Sequence, residues 1–346
     1  MKILIIGPSW VGDMVMSQSL YKELINTNPE ATIDVLAPTW CKPILERMPE
    51  VNEAIEMPIG HGAFNLKERW KIGRKLAKNN YDHAFILPNS AKSALIPAFA
   101  GITKRTGWKG EFRYGLLNDI RPDKRIFQYM VERYVALAHP KLEMLDRVSL
   151  NVIEEPELEV SEEKQTSIKT KLGLNSTRPI IGLCPGAEFG PAKRWPEEYY
   201  TEVAEHAIKS GQQIWLFGSQ KDQETTQLIR DGLSDESKGH CFDLAGKTSL
   251  IEAVDMLACC HTVISNDSGL MHVSAAVGCN IIALYGSTSP EYTPPLTEKL
   301  SILHTDIECR PCFKRTCPLR HLNCLKELKP ESVIGALSTS ISIQLQ

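Results

Sequence analysis

Short apolar runs alternate with longer amphipathic stretches through the first half of the chain. Lys2–Ile6, Thr32–Ala37, Glu53–Met57 and His83–Leu87 read as strands, and Asp13–Ile25, Leu66–Lys78 and Ala91–Ala100 between them read as helices. Continuous apolar strands separated by helical spacings predict a parallel sheet wrapped by helices. The texture changes at EEPELEVSEEKQTSIKTKLGLNSTR, residues 154–178, which is charged and free of aromatics. A linker plus a polar helix, and so a domain boundary, is expected there. The alternation then resumes, with strands at Ile180–Cys184, Gln213–Phe217, Thr262–Ser265 and Asn280–Leu284. Helices are expected at Glu197–Lys209, Asp222–Gly232, Ser249–Cys259 and Ser268–Val277. The chain therefore reads as α/β, with two doubly wound halves at residues 1–160 and 161–346. Periodicity assigns no position to the last helical stretch, Pro330–Ile343; a return onto the first domain is open to it.

Bulk properties narrow the picture only a little. A chain of 346 residues is long for a single core, in keeping with two domains. A net charge of -3 gives no reason to expect a nucleic-acid partner. A strand pattern begins at once, without a secretory signal, and no apolar stretch is long enough to span a bilayer. A cytoplasmic protein is expected, with most of its 10 cysteines reduced. No fixed-period repeat is visible.

Chemistry collects where strands end. The first strand runs into GPSWVGD, the place where an α/β protein usually cradles a phosphate. Gly7 and Gly12 lack the G-x-G-x-x-G spacing, however, and Asp13 would repel a phosphate. Asp13 is open to two readings: a first-turn carboxylate that stabilises a helix, or a general base for a hydroxyl held against the glycine loop. The counterpart in the second half is Cys184-Pro-Gly-Ala-Glu-Phe-Gly-Pro-Ala-Lys-Arg-Trp. Backbone N–H groups of Gly186 and Ala187, with Lys193 and Arg194, suit a diphosphate; a solvated surface turn is the plainer reading. A third turn, Ser265-Asn-Asp-Ser-Gly-Leu-Met-His, offers Asp267, Ser268 and Gly269 at a helix start. His272 lies one turn on, on the face of Ser268, and is otherwise a packed or capping residue. Gly218 and Ser219 end another strand. All three second-half turns lie at strand carboxyl ends.

GPSWVGDMVMSQSL, PGAEFGPAKRWP and NDSGLMHVSAA resemble the ADP-heptose:lipopolysaccharide heptosyltransferases, bacterial members of glycosyltransferase family 9. The likeness covers essentially the whole chain, through YGSTSPEYTPPL. It implies a GT-B fold: two Rossmann-like domains facing a central cleft, the first taking the acceptor and the second ADP-heptose. It further implies inverting transfer of L-glycero-D-manno-heptose from ADP-heptose onto the first heptose of the inner core, heptosyl-Kdo2-lipid A. By this resemblance Asp13 is the catalytic base, Lys193 holds the donor phosphates, and Asp267, Ser268, Gly269 and His272 clasp the donor. No acidic D-x-D-type pair is evident, so no obligatory metal is expected.

Lys104, Arg105, Lys109, Arg113, Arg121, Lys124 and Arg125 fall within 22 residues, diluted by Glu111, Asp119 and Asp123. The stretch is either a solvated mixed-charge loop or a contact for the anionic Kdo and phosphorylated lipid A. Arg105, Lys109 and Arg113, with Asn89 and Lys92 beyond another strand, are the acceptor-binding candidates. The same patch would favour peripheral contact with the cytoplasmic face of the inner membrane. Cys309, Cys312, Cys317 and Cys324 lie within 16 residues, with His321 among them. A structural zinc or iron–sulfur group, free or redox-active thiols, and disulfides are all open. Cys259 and Cys260 read as buried apolar residues. Two other functions stand against the first. One is a family-9 enzyme using another acceptor, such as Kdo2-lipid A; the other is a non-catalytic nucleotide-sugar-binding protein. An epimerase or hydrolase would need a second acid/base, and a nicotinamide dehydrogenase lacks its glycine fingerprint.

Overall fold

Lys2–Ile6 (β1) is apolar after its first residue because neither of its faces meets water: Ile3, Leu4, Ile5 and Ile6 are at most 1% exposed. Burial on both faces is the normal condition of a parallel strand. The computed structural model describes residues 1–60, 62–141, 153–174 and 177–342 and divides the chain into two units, Met1–Leu158 and Glu159–Gln346.

In the first unit β1 is joined by Thr32–Ala37 (β2), Val51–Glu56 (β3), His83–Ile86 (β4), Lys104–Trp108 (β5) and Asp119–Arg121 (β6). Their order is β3-β2-β1-β4-β5-β6, and every pairing is parallel. The second unit holds Ile180–Cys184 (β7), Gln213–Leu216 (β8), Cys241–Asp243 (β9), Thr262–Asn266 (β10), Asn280–Tyr285 (β11) and Leu300–His304 (β12). It repeats the scheme as β12-β11-β10-β7-β8-β9, again all parallel. Both sheets are doubly wound. Their direction of winding reverses between β1 and β4 in the first unit and between β7 and β10 in the second. Ligands of such sheets bind at that reversal, outside the strand carboxyl ends.

The strands expected from apolar runs are present. β5, β6, β9 and β12 were not anticipated; β6, β9 and β12 are edge strands and β5 lies next to one. The basic stretch expected as a loop is in fact two of these strands with a turn between them, because Arg105 and Thr106 pair along β4. The charged stretch after residue 153 is anchored to the first helix, Val11–Thr27. Gln18, fully buried, donates to the Glu157 carbonyl at 2.7 Å and accepts from its N–H at 3.0 Å, and Ser19 donates to the Glu154 carbonyl at 2.7 Å. The polar helix follows at Glu162–Leu172. Ser161 caps it, accepting from the Lys164 N–H, and Gly173 ends it at φ 64°. Asn175 and Ser176, in the same stretch, lie outside the described residues. The terminal helix Pro330–Ser342 buries Val333 and Leu337 in the core of the second unit, beside Trp195 and Ile208; Ile343 lies outside the described residues.

In the first unit, the helices Leu66–Leu76 and Leu95–Phe99 approach most closely at Gly73. A methyl group there would sit 2.5 Å from Phe99 Cβ and 2.8 Å from the Ile96 carbonyl oxygen. Gly73→Ala is therefore expected to lower stability by about 1–3 kcal/mol, because neither backbone can move without repacking. Gly335→Ala, in the exposed middle of the terminal helix with nothing within 4 Å, is expected to be neutral or stabilising by up to about 1 kcal/mol. Urea midpoints followed by far-UV circular dichroism test the contrast; equal midpoints for the two variants would refute the close contact.

Candidate active site

The second-unit loops are gathered by one buried side chain. Asn266, the last residue of β10, is fully buried, and its amide donates to the Pro185 carbonyl at 2.6 Å while its side-chain oxygen accepts from the Trp195 N–H at 3.1 Å. Both ends of the loop after β7 are thereby fixed to the end of β10. Trp195 adds a bond from its indole N–H to the Leu328 carbonyl at 2.8 Å. Held this way, Lys193 places its Nζ 2.5 Å from Asp267 Oδ2 and 3.3 Å from the Asp267 carbonyl oxygen. Thr288, beyond β11, donates to the same Oδ2 at 2.6 Å. The Lys193 ammonium also lies 5.1 Å from the centre of the Phe189 ring. Ser268 begins the helix Gly269–Ala276 in extended conformation and caps it with no side-chain bond. The first-turn N–H groups therefore lack a side-chain partner from their own cap. His272 is 5% exposed. Burial pushes its imidazole down to about 4; Asp267 opposes the shift and Lys193 adds to it. It is a neutral group at ordinary pH, so the cationic charge in this cluster comes from lysine and arginine.

Asp222, which the motif reading did not single out, organises the adjoining turn. Its carboxylate accepts from the Ser219 N–H at 2.9 Å and the Ser219 hydroxyl at 2.7 Å, and lies 3.7 Å from Arg194 Nη2. It also lies directly over Gly186, where a Cβ would come within 2.6 Å of it. Ser219, an expected donor contact, gives both its N–H and its hydroxyl proton to Asp222. Thr288, Asn266 and Asp222 are the residues that sequence reasoning missed. Asn266 stood inside the quoted NDSG turn, whereas nothing in the sequence distinguished Asp222 from an ordinary helix cap.

The cysteine segment packs behind these loops. Phe313 N–H donates to the Ser287 carbonyl at 2.7 Å, and the Ala192 N–H donates to the Arg315 carbonyl at 3.1 Å. Arg310 reaches the Gly286 and Thr288 carbonyls at 3.0 and 3.1 Å. Cys309, Cys312, Cys317 and Cys324 line one small hollow with His321. All four are free thiols, which sets aside the disulfide alternative in this structure. Backbone N–H groups, that of Leu322 foremost, hold the Cys317 thiol below its usual range, while burial and the neighbouring thiols push Cys324 up to about 11. Among the described residues no group of three or more His, Cys, Asp or Glu side chains is arranged to hold a metal ion.

In the first unit the loop after β1 leads into the helix Val11–Thr27, with Asp13 in its first turn. The Ser9 carbonyl accepts from the Trp40 indole at 2.8 Å and from the Cys41 thiol at 3.6 Å, which ties this loop to the segment after β2. Burial pushes the Cys41 thiol up to about 12, and the nearby Asp13 carboxylate adds to the effect. The loop after β4 carries Asn89 and Lys92. Asn89 Oδ1 is buried without a hydrogen-bond partner, and Lys92 Nζ donates to the Gly62 carbonyl at 2.6 Å. Two other acceptor-binding candidates, Arg113 and Arg105, bond to backbone carbonyls of their own unit. Arg113 is 2% exposed, and its guanidinium donates to the Pro88 and Trp108 carbonyls. Arg105 donates to the Ile102, Leu116 and Gly115 carbonyls. Both guanidiniums brace the turn after β5; Arg113 is buried and Arg105 is half-buried. Lys109 remains exposed, as do the rings of Phe112 and Tyr114 on either side of Arg113.

A sequence model described as glycosyltransferase family 9 (heptosyltransferase) matches residues 69–323. "Lipopolysaccharide heptosyltransferase 2" of Escherichia coli K12 is 54% identical over 340 residues, covering 98% of each chain. The protein of that name from Salmonella typhimurium is 50% identical over 344 residues, covering 99% of each. The solved structure of Escherichia coli ADP-heptose lps heptosyltransferase II superposes with a TM-score of 0.90 at 47% identity and covers 100% of both chains.

Burial of neutral His272 sets a pH dependence. Its folded value, about 4, lies below the ordinary histidine value of 6.5, so the unfolded chain binds the extra proton first. Stability contributed here is complete above about pH 6.5 and falls as pH drops toward 4, by on the order of 2–3 kcal/mol. His272→Gln is expected to flatten that loss in urea titrations at pH 7, 5.5 and 4.5. An unchanged slope would mean that His272 is protonated in the folded state.

Proposed function

The chain belongs to glycosyltransferase family 9, and from that premise we propose that it transfers L-glycero-D-manno-heptose from ADP-heptose to the first heptose of the lipopolysaccharide inner core, with inversion. The observation that carries the reading is the Lys193–Asp267–Thr288 cluster at the winding reversal of the second sheet, in a chain 54% identical to a heptosyltransferase 2. In this reading the second unit holds ADP-heptose and the first holds the acceptor. The acceptor hydroxyl loses its proton to Asp13 as its oxygen attacks the anomeric carbon. The bond from that carbon to the diphosphate breaks, and ADP leaves from the opposite face.

Charge develops on the departing diphosphate. Lys193, fixed by Asp267, and Arg194 are the cations that meet it, with the N–H groups at Ser268 and Gly269. His272, neutral and buried, supports the turn from within. We assign no metal to the step, because these groups face the leaving charge. Asn89 Oδ1, a buried acceptor, suits an acceptor hydroxyl, and exposed Lys109 suits its anionic sugars. Placement at the cytoplasmic face of the inner membrane follows from an acceptor built on lipid A. Among the described residues no helix is long and apolar enough to cross a membrane.

ADP release from ADP-heptose tests the assignment. Release is expected with heptosyl-Kdo2-lipid A and not with Kdo2-lipid A; the opposite preference would move the acceptor to the unheptosylated lipid. Asp13→Asn should cut kcat by about 10²–10⁴-fold with ADP-heptose binding retained. Lys193→Met should weaken donor binding and slow transfer, each by roughly tenfold or more. Full activity of the Asp13 variant would overturn the base, and tight ADP-heptose binding without release on either lipid would favour a non-catalytic binding protein.

A further inference from the structure

The helix Leu66–Leu76 carries an outer face unlike that of a soluble surface helix. Leu66 and Trp70, four residues apart, stand 47% and 52% exposed, and Phe64 just before them is 58% exposed. Residues spaced by four share a face. Around this ridge lie Lys67, Lys71, Arg74, Lys75 and Lys78, all exposed, against one carboxylate, Glu68. The whole chain carries a net charge of -3, so this concentration of cations is local.

The ridge is built rather than loose. Arg69, on the inner side of the helix and 4% exposed, donates to the Phe64 carbonyl at 2.6 Å and the Ala63 carbonyl at 3.0 Å. It also donates to the Lys92 carbonyl at 3.2 Å, and Lys92 Nζ returns a bond to the Gly62 carbonyl at 2.6 Å. Asn65 caps the helix, accepting from the Glu68 N–H. The loop that presents Phe64 is thus tied to the loop after β4, at the carboxyl edge of the sheet where Asp13 also stands. Gly73 lets the helix press against Leu95–Phe99 from behind.

We propose that Phe64, Leu66 and Trp70, with the surrounding lysines and Arg74, form a docking surface for an anionic lipid bilayer. The charge pattern selects this occupant. Aromatic and aliphatic side chains enter the interfacial layer of a membrane, and a ring of lysine and arginine meets anionic headgroups while keeping its stems over the apolar surface. A protein partner that buried the ridge would have to desolvate five cations. The inference deepens the peripheral membrane contact proposed above and rests on that reading. It moves the contact away from the stretch 104–125, where Arg105 and Arg113 are engaged by backbone carbonyls.

Sedimentation of the full chain with vesicles tests it. Binding is expected to vesicles containing one-third phosphatidylglycerol, and to weaken steeply with added salt and on pure phosphatidylcholine. Phe64→Ser with Trp70→Ser, and separately Lys67→Ser with Lys71→Ser, should each weaken binding about tenfold. Urea midpoints and turnover on a deacylated, water-soluble heptosyl-Kdo2 acceptor should stay unchanged in both double variants. Failure of the wild type to bind, equal binding by the variants, a ridge-dependent dimer in ultracentrifugation, or a matching loss of turnover on the soluble acceptor would each overturn the surface. A wild type that docks on vesicles but releases no ADP would instead sink the transfer reading and leave the docking surface standing.

Discussion

A parallel strand can be re-entered only from the edge at which it began, so each connection after a strand leaves at the carboxyl edge. In the order shared by both sheets, the neighbours β1 and β4, and likewise β7 and β10, send those connections in opposite directions. The loops part there and leave room for a ligand. The positions that can hold chemistry are therefore fixed before any functional residue is chosen. In the first unit they carry Asp13, Asn89 and Lys92; in the second they carry Lys193, Asn266 and Asp267. One topology used twice thus gathers charged side chains of both signs at each reversal point, Asp13 and Lys92 in the first unit and Lys193 and Asp267 in the second.

The cation is not simply displayed. Lys193 and Asp267 have side chains only 13% and 5% exposed, so their mutual attraction is set against the loss of hydration on both. Such a pair adds little net stability, yet removing one partner strands a buried charge. What the arrangement secures is position: the Thr288 hydroxyl and the Asp267 backbone carbonyl complete the contacts, and the ammonium has one well-defined place. The neutral state of His272 comes chiefly from burial; the Asp267 carboxylate opposes it and Lys193 adds to it.

What the sequence made legible follows the same physics. Strands buried on both faces are mainly apolar, so β1, β2, β4, β7, β8, β10 and β11 stood out, as did β3 at an edge. Outer strands are covered less fully and tolerate polar residues. β5 begins Lys104-Arg105-Thr106, and β6 and β9 are three residues each, too short for a period to show. The basic stretch, open to reading as a loop or as an acceptor contact, holds β5 and β6, and Arg105 and Arg113 bond to backbone carbonyls there. An arginine whose fork satisfies backbone carbonyls is identical in sequence to one that awaits a phosphate. Asp222 escaped notice for a related reason. Its short-range signature is that of a helix cap, and only the fold brings it over Gly186 and beside Arg194.

The motifs do not by themselves build the Lys193–Asp267–Thr288 cluster. Asp267 is oriented by Thr288, and the carbonyl of Thr288 is held by Arg310, which also holds Gly286. Phe313 pins Ser287, and the Arg315 carbonyl sits against Gly190, where φ is 154° and a Cβ would come within 2.4 Å of it. Only glycine adopts that backbone and permits that approach. The cysteine-rich segment is therefore a wall of the site, reached through backbone contacts rather than through its thiols. The family match extends through residue 323 and so takes in this wall together with the loops it supports. The position of Lys193 thus depends on a segment more than a hundred residues away, which no local motif around it encodes.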